Sequence, residues 1–430
     1  MARLSDPLRI GDVTLSNRLY RAPVLECAGN GDDAVDRLID HLEPAAAAGA
    51  GLVCQGATIV RGEGGCAAPG MTRVHDPDFV ARLARLTDRL HDHGAAVAIQ
   101  LEHGGLRSME TWHAGYRDDH PDLQQLAVSR PPRLLRALDR LGFLHYDPHV
   151  LTTAEVYDLV EDFGRAAGHA VDAGYDIVHL AGANMGIVHQ FLSPFYNRRD
   201  DEFGDGVRFL ERLHDAVRDH AGDVPLTTKV PAETAAPPVI RRRLTREDAV
   251  RICRRLDAIG YDALVPVSGS VVWDMSIVRG RFPERAWRDD RFREGYAAAF
   301  GGRLRAGLVA LANRVEARWY DFDPAWNADL CRAVRDAVSV PVLCEGGIRD
   351  RPRIDRLLDD ACDAVGMARP FYAEPELPAR LLADAEASAV CASCNNCAVP
   401  QVTGAPGVCR TPAVLDEVGR LRKTGAYDRE

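Results

Sequence analysis

The chain of 430 residues is poor in lysine. Only Lys229 and Lys423 occur, so nearly every cation is arginine and a lysine at a strand end stands out. It also lacks a basic excess. The formal net charge is -10, which leaves no domain-wide positive field to neutralise phosphates and argues against a nucleic-acid partner. No apolar run approaches the roughly 18 residues of a membrane span, so no membrane partner is expected. The segment Met1–Pro7 has no apolar leader core, and the expected location is cytoplasmic. No G-x-G-x-x-G turn occurs, which counts against an open dinucleotide-binding sheet.

The composition is otherwise that of a folded chain, 46% hydrophobic and 27% charged. Its eleven cysteines are an odd set. Seven are scattered, several inside apolar runs, and four crowd the C-terminus. That pattern suits buried thiols and one clustered ligand set better than a disulfide framework.

Short β-rich runs recur at Arg18–Val24, Ala50–Gln55, Ala95–Leu101, Tyr175–Leu180, Pro225–Val230, Asp262–Val267, Pro341–Glu345 and Asp363–Ala368. Amphipathic stretches follow them, as at Pro77–His93, Thr153–Ala173, Thr245–Ile259 and Ala325–Ala337. In the third of these, Ala249, Ile252, Leu256 and Ile259 keep helical spacing, Thr245 with Asp248 forms a helix-start box, and Gly260 forms the stop. Eight strands alternating with helices predict an α/β chain with a (β/α)8 TIM barrel. The surplus length falls in two long inserts, roughly Leu106–Leu151 and Val271–Asp323, and in a C-terminal four-cysteine segment. The expected division is residues 1–386 for the barrel and 387–430 for that segment.

In such a barrel the chemistry lies at the C-terminal strand ends, and the loops after strands 7 and 8 hold phosphate. Here those loops read Glu345-Gly346-Gly347-Ile348 and Gly366-Met367-Ala368-Arg369-Pro370. Glycines allow backbone amides to approach an anion, and an arginine supplies a bidentate cation. The tail reads Cys391-x2-Cys394-x2-Cys397-x11-Cys409, a spacing that suits a tetrahedral Zn site or a four-iron cluster.

Leu8–Val24, Ala98–Gly105, the segment His189–Gly204 (HQFLSPFYNRRDDEFG), the GGI loop and GMARPF together resemble the Old Yellow Enzyme family of FMN oxidoreductases. The cysteine tail brings the chain nearest the barrel domains of 2,4-dienoyl-CoA reductase and trimethylamine dehydrogenase. The resemblance implies FMN at the barrel mouth. Pro23, Val24 and Ala57 would line the flavin, and Gln100 would bond its pyrimidine edge. Gly346, Gly347, Gly366 and Arg369 would hold the phosphate. Lys229 stands where the family usually carries an arginine beside the flavin. Leu25 stands at the position of the covalent cysteine in trimethylamine dehydrogenase, which implies non-covalent FMN. Cys391, Cys394, Cys397 and Cys409 would hold a [4Fe-4S] cluster, with Zn and an empty or disulfide-closed remnant the lesser readings. A cluster implies an electron-transfer protein as partner, unless NAD(P)H reduces the FMN directly.

The family's fourth strand ends with a histidine, a second donor three residues on, and a proton-donating tyrosine two positions later. These positions are Ala181, Asn184 and Gly186 here. Asn184 remains as a donor to a substrate carbonyl, and three readings stay open for the missing tyrosine: another acid replaces it, the substrate is larger or carries its own acid, or the reaction runs toward oxidation and needs no proton donor. His189, Tyr196, His103 and Tyr116 are the candidate acids. The leading expectation is hydride transfer between flavin and a small conjugated molecule, with NAD(P)H as reductant. The rivals are an FMN/[4Fe-4S] dehydrogenase acting on an amine-like substrate and a non-catalytic flavoprotein carrier. A homo-oligomer is compatible with all three.

Overall fold

The computed structural model describes residues 3–234 and 240–428. Eight parallel strands form its centre: β1 Leu19–Arg21, β2 Leu52–Ile59, β3 Ala96–Glu102, β4 Ile177–Leu180, β5 Leu226–Glu233, β6 Ala263–Gly269, β7 Leu343–Glu345 and β8 Ala364–Met367. They pair in the order β6-β5-β4-β3-β2-β1-β8-β7, and a parallel bridge between Leu264 and Val342 joins the two ends. All eight lie where the sequence places them, and the (β/α)8 barrel is the observed fold.

The connecting helices are α1 Ala34–Ala47, α2 Pro77–His91, α3 Thr153–Asp172, α4 Gly206–Ala221, α5 Arg246–Ile259, α6 Ala328–Arg335 and α7 Arg351–Asp360. Local chemistry sets their ends. Thr152 with Glu155 and Thr245 with Asp248 form reciprocal capping boxes. Asp76 accepts from two amides at the start of α2. Each such cap satisfies backbone donors that a helix start leaves free, and is worth about 1 kcal/mol. Gly260 stops α5 in the left-handed region.

Two apolar layers result. Leu38, Phe79, Leu83, Phe163, Phe209 and Leu256 lie in the layer between barrel and helices. Inside the barrel, Tyr20, Leu52, Ala98, Ile177, Val265 and Leu343 pack with Leu8, Ile10 and Leu15. The last three come from an antiparallel hairpin, Leu8–Ile10 with Val13–Leu15, that precedes the barrel. Strands covered on both faces need continuous apolar runs, and β2 is buried along its whole length.

The two inserts follow β3 and β6. The first carries short helices at Met109–Trp112, Ala114–Asp119 and Arg133–Arg140, and the second carries Glu284–Arg288, Asp290–Phe300 and Arg303–Glu316. They meet where the Trp112 and Phe300 rings lie 6.2 Å apart. The tail folds back onto the same end of the barrel. Gln401 Nε2 and the Tyr372 hydroxyl both donate to the Leu25 carbonyl at 2.7 Å, and Arg281 N donates to Ser393 O at 2.9 Å. Among the described residues no helix is long and apolar enough to cross a membrane.

Candidate active site

A cavity of about 270 Å³ opens at the C-terminal ends of the strands. Pro23, Val24, Ala57, Gln100, Asn184, Lys229, Gly346, Gly347, Gly366 and Arg369 all line it, although they come from strands and loops far apart in sequence.

The left wall depends on one buried ion pair. Arg21 Nη1 lies 2.9 Å from Glu26 Oε1, and the other Glu26 oxygen accepts from Gly56 N at 3.0 Å. Arg21 also donates to Cys54 O at 3.1 Å. The loop after β1 is thereby pinned to β2, where the pairing with β3 slips by one residue between Gln55 and Ala57. A bulge at a strand end re-aims the next side chain, here Ala57. Gly56 is required at that point, because a Cβ there would fall 1.9 Å from Val24 O.

At the far wall Gly346 and Gly347 have φ of 101° and 70°, which favour glycine. Their missing side chains also admit neighbours, since a Cβ would meet Trp326 at 2.6 Å and Asp323 O at 2.4 Å. A Cβ on Gly366 would strike the Tyr20 ring at 2.2 Å. Asn327 clamps this wall, accepting from Ser268 N and donating to Glu345 O, both at 2.8 Å.

The polar groups facing the cavity fit FMN. Gln100 is buried, yet among the described residues its carboxamide makes no hydrogen bond within the chain. Asn184 is likewise unbonded through its side chain, and it sits at φ 59°. Arg349 lies over the Phe322 ring at 3.9 Å and has no carboxylate partner among the described residues. These amides face the cavity and keep their donors and acceptors free for a bound group. An aromatic ring system with an anionic tail supplies the missing partners.

Lys229 is not a free cation. Its Nζ lies 2.6 Å from Glu345 Oε2, and Tyr20 donates to Glu345 Oε1 at 3.0 Å. Arg369 does not point at the glycines alone. It donates to Arg279 O at 2.9 Å and to Asn395 of the tail, and it lines both the mouth cavity and a smaller one behind it.

That smaller cavity is surrounded by Cys391, Cys394, Cys397 and Cys409. Cys394 Sγ lies 3.0 Å from Thr411 Oγ1 and accepts from Asn396 Nδ2 at 3.3 Å. Among the described residues no group of three or more His, Cys, Asp or Glu is placed to hold a metal ion. The donor set is all thiol, which is the chemistry of an iron–sulfur cluster. Cys391 lines the mouth cavity as well, so the two sites adjoin.

Three of the four residues proposed from sequence for the chemistry lie elsewhere. His189 is fully buried, with Nδ1 accepting from Met185 N and Nε2 against Glu233 Oε1, both at 2.8 Å. With Gln190, which donates to Met185 O at 2.6 Å, it holds the turn that presents Asn184. Tyr196 donates to Val271 O beneath the second insert. His103 accepts from Gly105 N at 3.1 Å, and its ring covers Gly65. The specific HQFLSPFYN segment is therefore largely scaffold; Asn197 likewise bonds two backbone carbonyls, Phe191 O and Phe203 O. Tyr116 donates to Glu63 O outside the cavity. His179 is buried below the site against Thr227 Oγ1 at 2.8 Å.

Sequence reading missed Glu102, Arg107, Glu345 and Arg349, all of which face the cavity. One signal was present: Glu102 follows Gln100 by two residues on a strand and so shares its face.

A family model described as NADH:flavin oxidoreductase / NADH oxidase matches residues 3–286. The chain belongs to the NADH:flavin oxidoreductase / NADH oxidase family. It is an FMN-dependent oxidoreductase. It is 27% identical over 429 residues to a 4,4'-dithiodibutanoate disulfide reductase of Rhodococcus erythropolis, covering 97% of each chain. It is 25% identical over 416 residues to an N,N-dimethylglycine/sarcosine dehydrogenase of Chromohalobacter salexigens, covering 94% of this chain and 52% of that one. The chain thus spans about half the length of that second relative. In fold it resembles histamine dehydrogenase from Rhizobium sp. 4-9, with a TM-score of 0.71, 19% identity, and coverage of 96% of this chain and 53% of the other.

Proposed function

We propose that this family member reduces a small conjugated organic substrate at the barrel mouth, using NAD(P)H. The observation that carries the reading is the convergence of Gln100, Asn184 and Lys229 on one cavity beside the glycine loops of strands 7 and 8. FMN, when bound, carries hydride between nicotinamide and substrate carbon. Pro23, Val24 and Ala57 provide the apolar seat, Gln100 the amide for the pyrimidine edge, and Gly346, Gly347 and Gly366 the close-approach backbone. Arg369, helped by Arg349, provides positive charge for the phosphate. Asn184 donates to the carbonyl of the substrate and holds it for reaction. Trp273 and Phe322 of the second insert line the mouth of the cavity.

We further propose that Cys391, Cys394, Cys397 and Cys409 bind a [4Fe-4S] cluster and that residues 387–430 form a segment organised around it. The all-thiol set and the shared lining by Cys391 and Arg369 support this. They also favour a second reading, in which an amine-like substrate is oxidised and electrons leave one at a time to a partner protein.

Anaerobic mixing tests the choice. NADH or NADPH is expected to bleach the flavin within the turnover time, and 2-cyclohexenone or 4,4'-dithiodibutanoate to restore its colour. Bleaching by an amine such as sarcosine, with none by either nicotinamide, would overturn the reductase reading in favour of the dehydrogenase.

A further inference from the structure

Glu102 ends β3 inside the cavity, 5% exposed, and its carboxylate makes no hydrogen bond among the described residues. Among the described residues its one ion-pair neighbour is Arg107 Nη1 at 3.5 Å, longer than a hydrogen bond. Across from it, a Cβ built on Gly186 would fall 2.9 Å from Glu102 Oε1. The carboxyl thus fills the space that a side chain at position 186 would enter. Gln100, on the same face of β3, and Asn184, two residues before Gly186, border the same cavity.

Resting on the flavin-dependent reading above, we propose that Glu102 is the acid that delivers a proton to substrate carbon in this enzyme. Removing a side chain at 186 and placing a carboxyl at 102 are one exchange: the donor comes from β3 instead of the loop after β4. In reduction of an activated C=C, one carbon takes the hydride and its neighbour takes the Glu102 proton. The π bond is lost and two C–H bonds form. NAD(P)H supplies the electron pair and leaves as NAD(P)+, and the Glu102 carboxylate regains a proton from water. Asn184 holds the carbonyl oxygen while this occurs.

The local electrostatics suit a carboxyl that keeps its proton. Burial pushes Glu102 above the ordinary glutamate value, while Arg107 and Lys229 pull the other way. Lys229 is itself balanced by Glu345; the Cys66 thiol, which burial holds at about 11, also feels Glu102, and His103 is its neighbour in the chain.

The test uses holoenzyme reduced by NAD(P)H and then mixed with 2-cyclohexenone or with ferricyanide, which takes electrons without a proton reaching carbon. E102Q is expected to slow reoxidation by the enone about 100-fold or more, the usual range for a general acid. It should slow reoxidation by ferricyanide far less. The wild-type enone rate should fall as pH rises through the carboxyl titration, and the E102Q rate should not. Infrared difference spectra across pH should contain a protonated-carboxyl band in wild type that E102Q lacks. E102A/G186Y, which returns an acid to the vacated space, should recover about tenfold over E102A. Enone reoxidation of E102Q within about threefold of wild type, with an unchanged pH profile, overturns the proposal. Failure of NAD(P)H to reduce the wild type would instead overturn the reductase reading, so the two failures are separable.

Discussion

Lys229 Nζ and Glu345 Oε2 lie 2.6 Å apart at the floor of the mouth cavity, 116 residues apart in sequence. The position that would carry a lone cation beside a flavin carries a neutralised pair. Tyr20 on β1 bonds the same carboxylate, so three strands meet at one charge.

The pair predicts a redox effect. A cation beside reduced flavin stabilises its negative charge, and Glu345 offsets that cation. E345Q should raise the midpoint potential by about 30 mV, equal to about 1.4 kcal/mol for a two-electron couple. Anaerobic dye-equilibration titration of the two holoenzymes measures it. An unchanged or lower potential in E345Q would show that Glu345 does not screen Lys229.

Gln100 should matter for the cofactor and little for the fold. Its carboxamide has no protein partner to lose, so Q100L leaves nothing orphaned in the apoprotein. Loss of one hydrogen bond of about 1 kcal/mol should weaken FMN binding about fivefold to tenfold. Flavin fluorescence titration of apoprotein reads the affinity, and thermal unfolding of the apoprotein should be unchanged. A destabilised apoprotein with unaltered FMN affinity would place Gln100 in the scaffold instead.

The cysteine tail predicts a metal content. Anaerobically purified protein should contain about four irons per chain and no stoichiometric zinc. C397S should lose the iron and its visible absorbance while keeping FMN, because the barrel supplies the flavin contacts. Zinc at one per chain, or iron retained in C397S, would contradict the cluster.

His103 should contribute to acid instability. Burial, with Arg61 and Arg73 nearby, pushes its imidazole down from 6.5 to about 3. Between those values the unfolded chain binds a proton that the folded chain refuses. Stability from this residue is therefore fully present above about pH 6.5 and is lost as pH falls toward 3. In H103N, whose side-chain oxygen can replace the Nδ1 acceptor, the fall of Tm with acidification should be shallower than in wild type. Parallel curves for the two proteins would exclude the residue from the acid transition.

Much of the architecture was legible in the linear chain because it rests on local chemistry. Apolar runs a few residues long mark strands covered on both faces, Thr245 with Asp248 and then Gly260 bracket α5, and the surplus residues fall into the two loops that became inserts. The cavity-lining residues were legible for a related reason, since strand ends are short and their order is set by the repeat. The grouping of four cysteines was also legible, and they surround one small cavity in the fold.

Side-chain destinations were not legible. His189, Tyr196 and His103 are chemically suitable acids, yet the turns at Met185, Val271 and Gly105 each took them as hydrogen-bond partners. Lys229 could not be seen as balanced, because Glu345 reaches it only when β5 and β7 are both in place. Glu102 is plain in the sequence as a charge on a strand. That it occupies the void beside Gly186, 84 residues away, was decided only when β3 and the loop after β4 closed around the same cavity. Periodicity is a property of neighbours along the chain; the partner of a buried charge is set by packing across it.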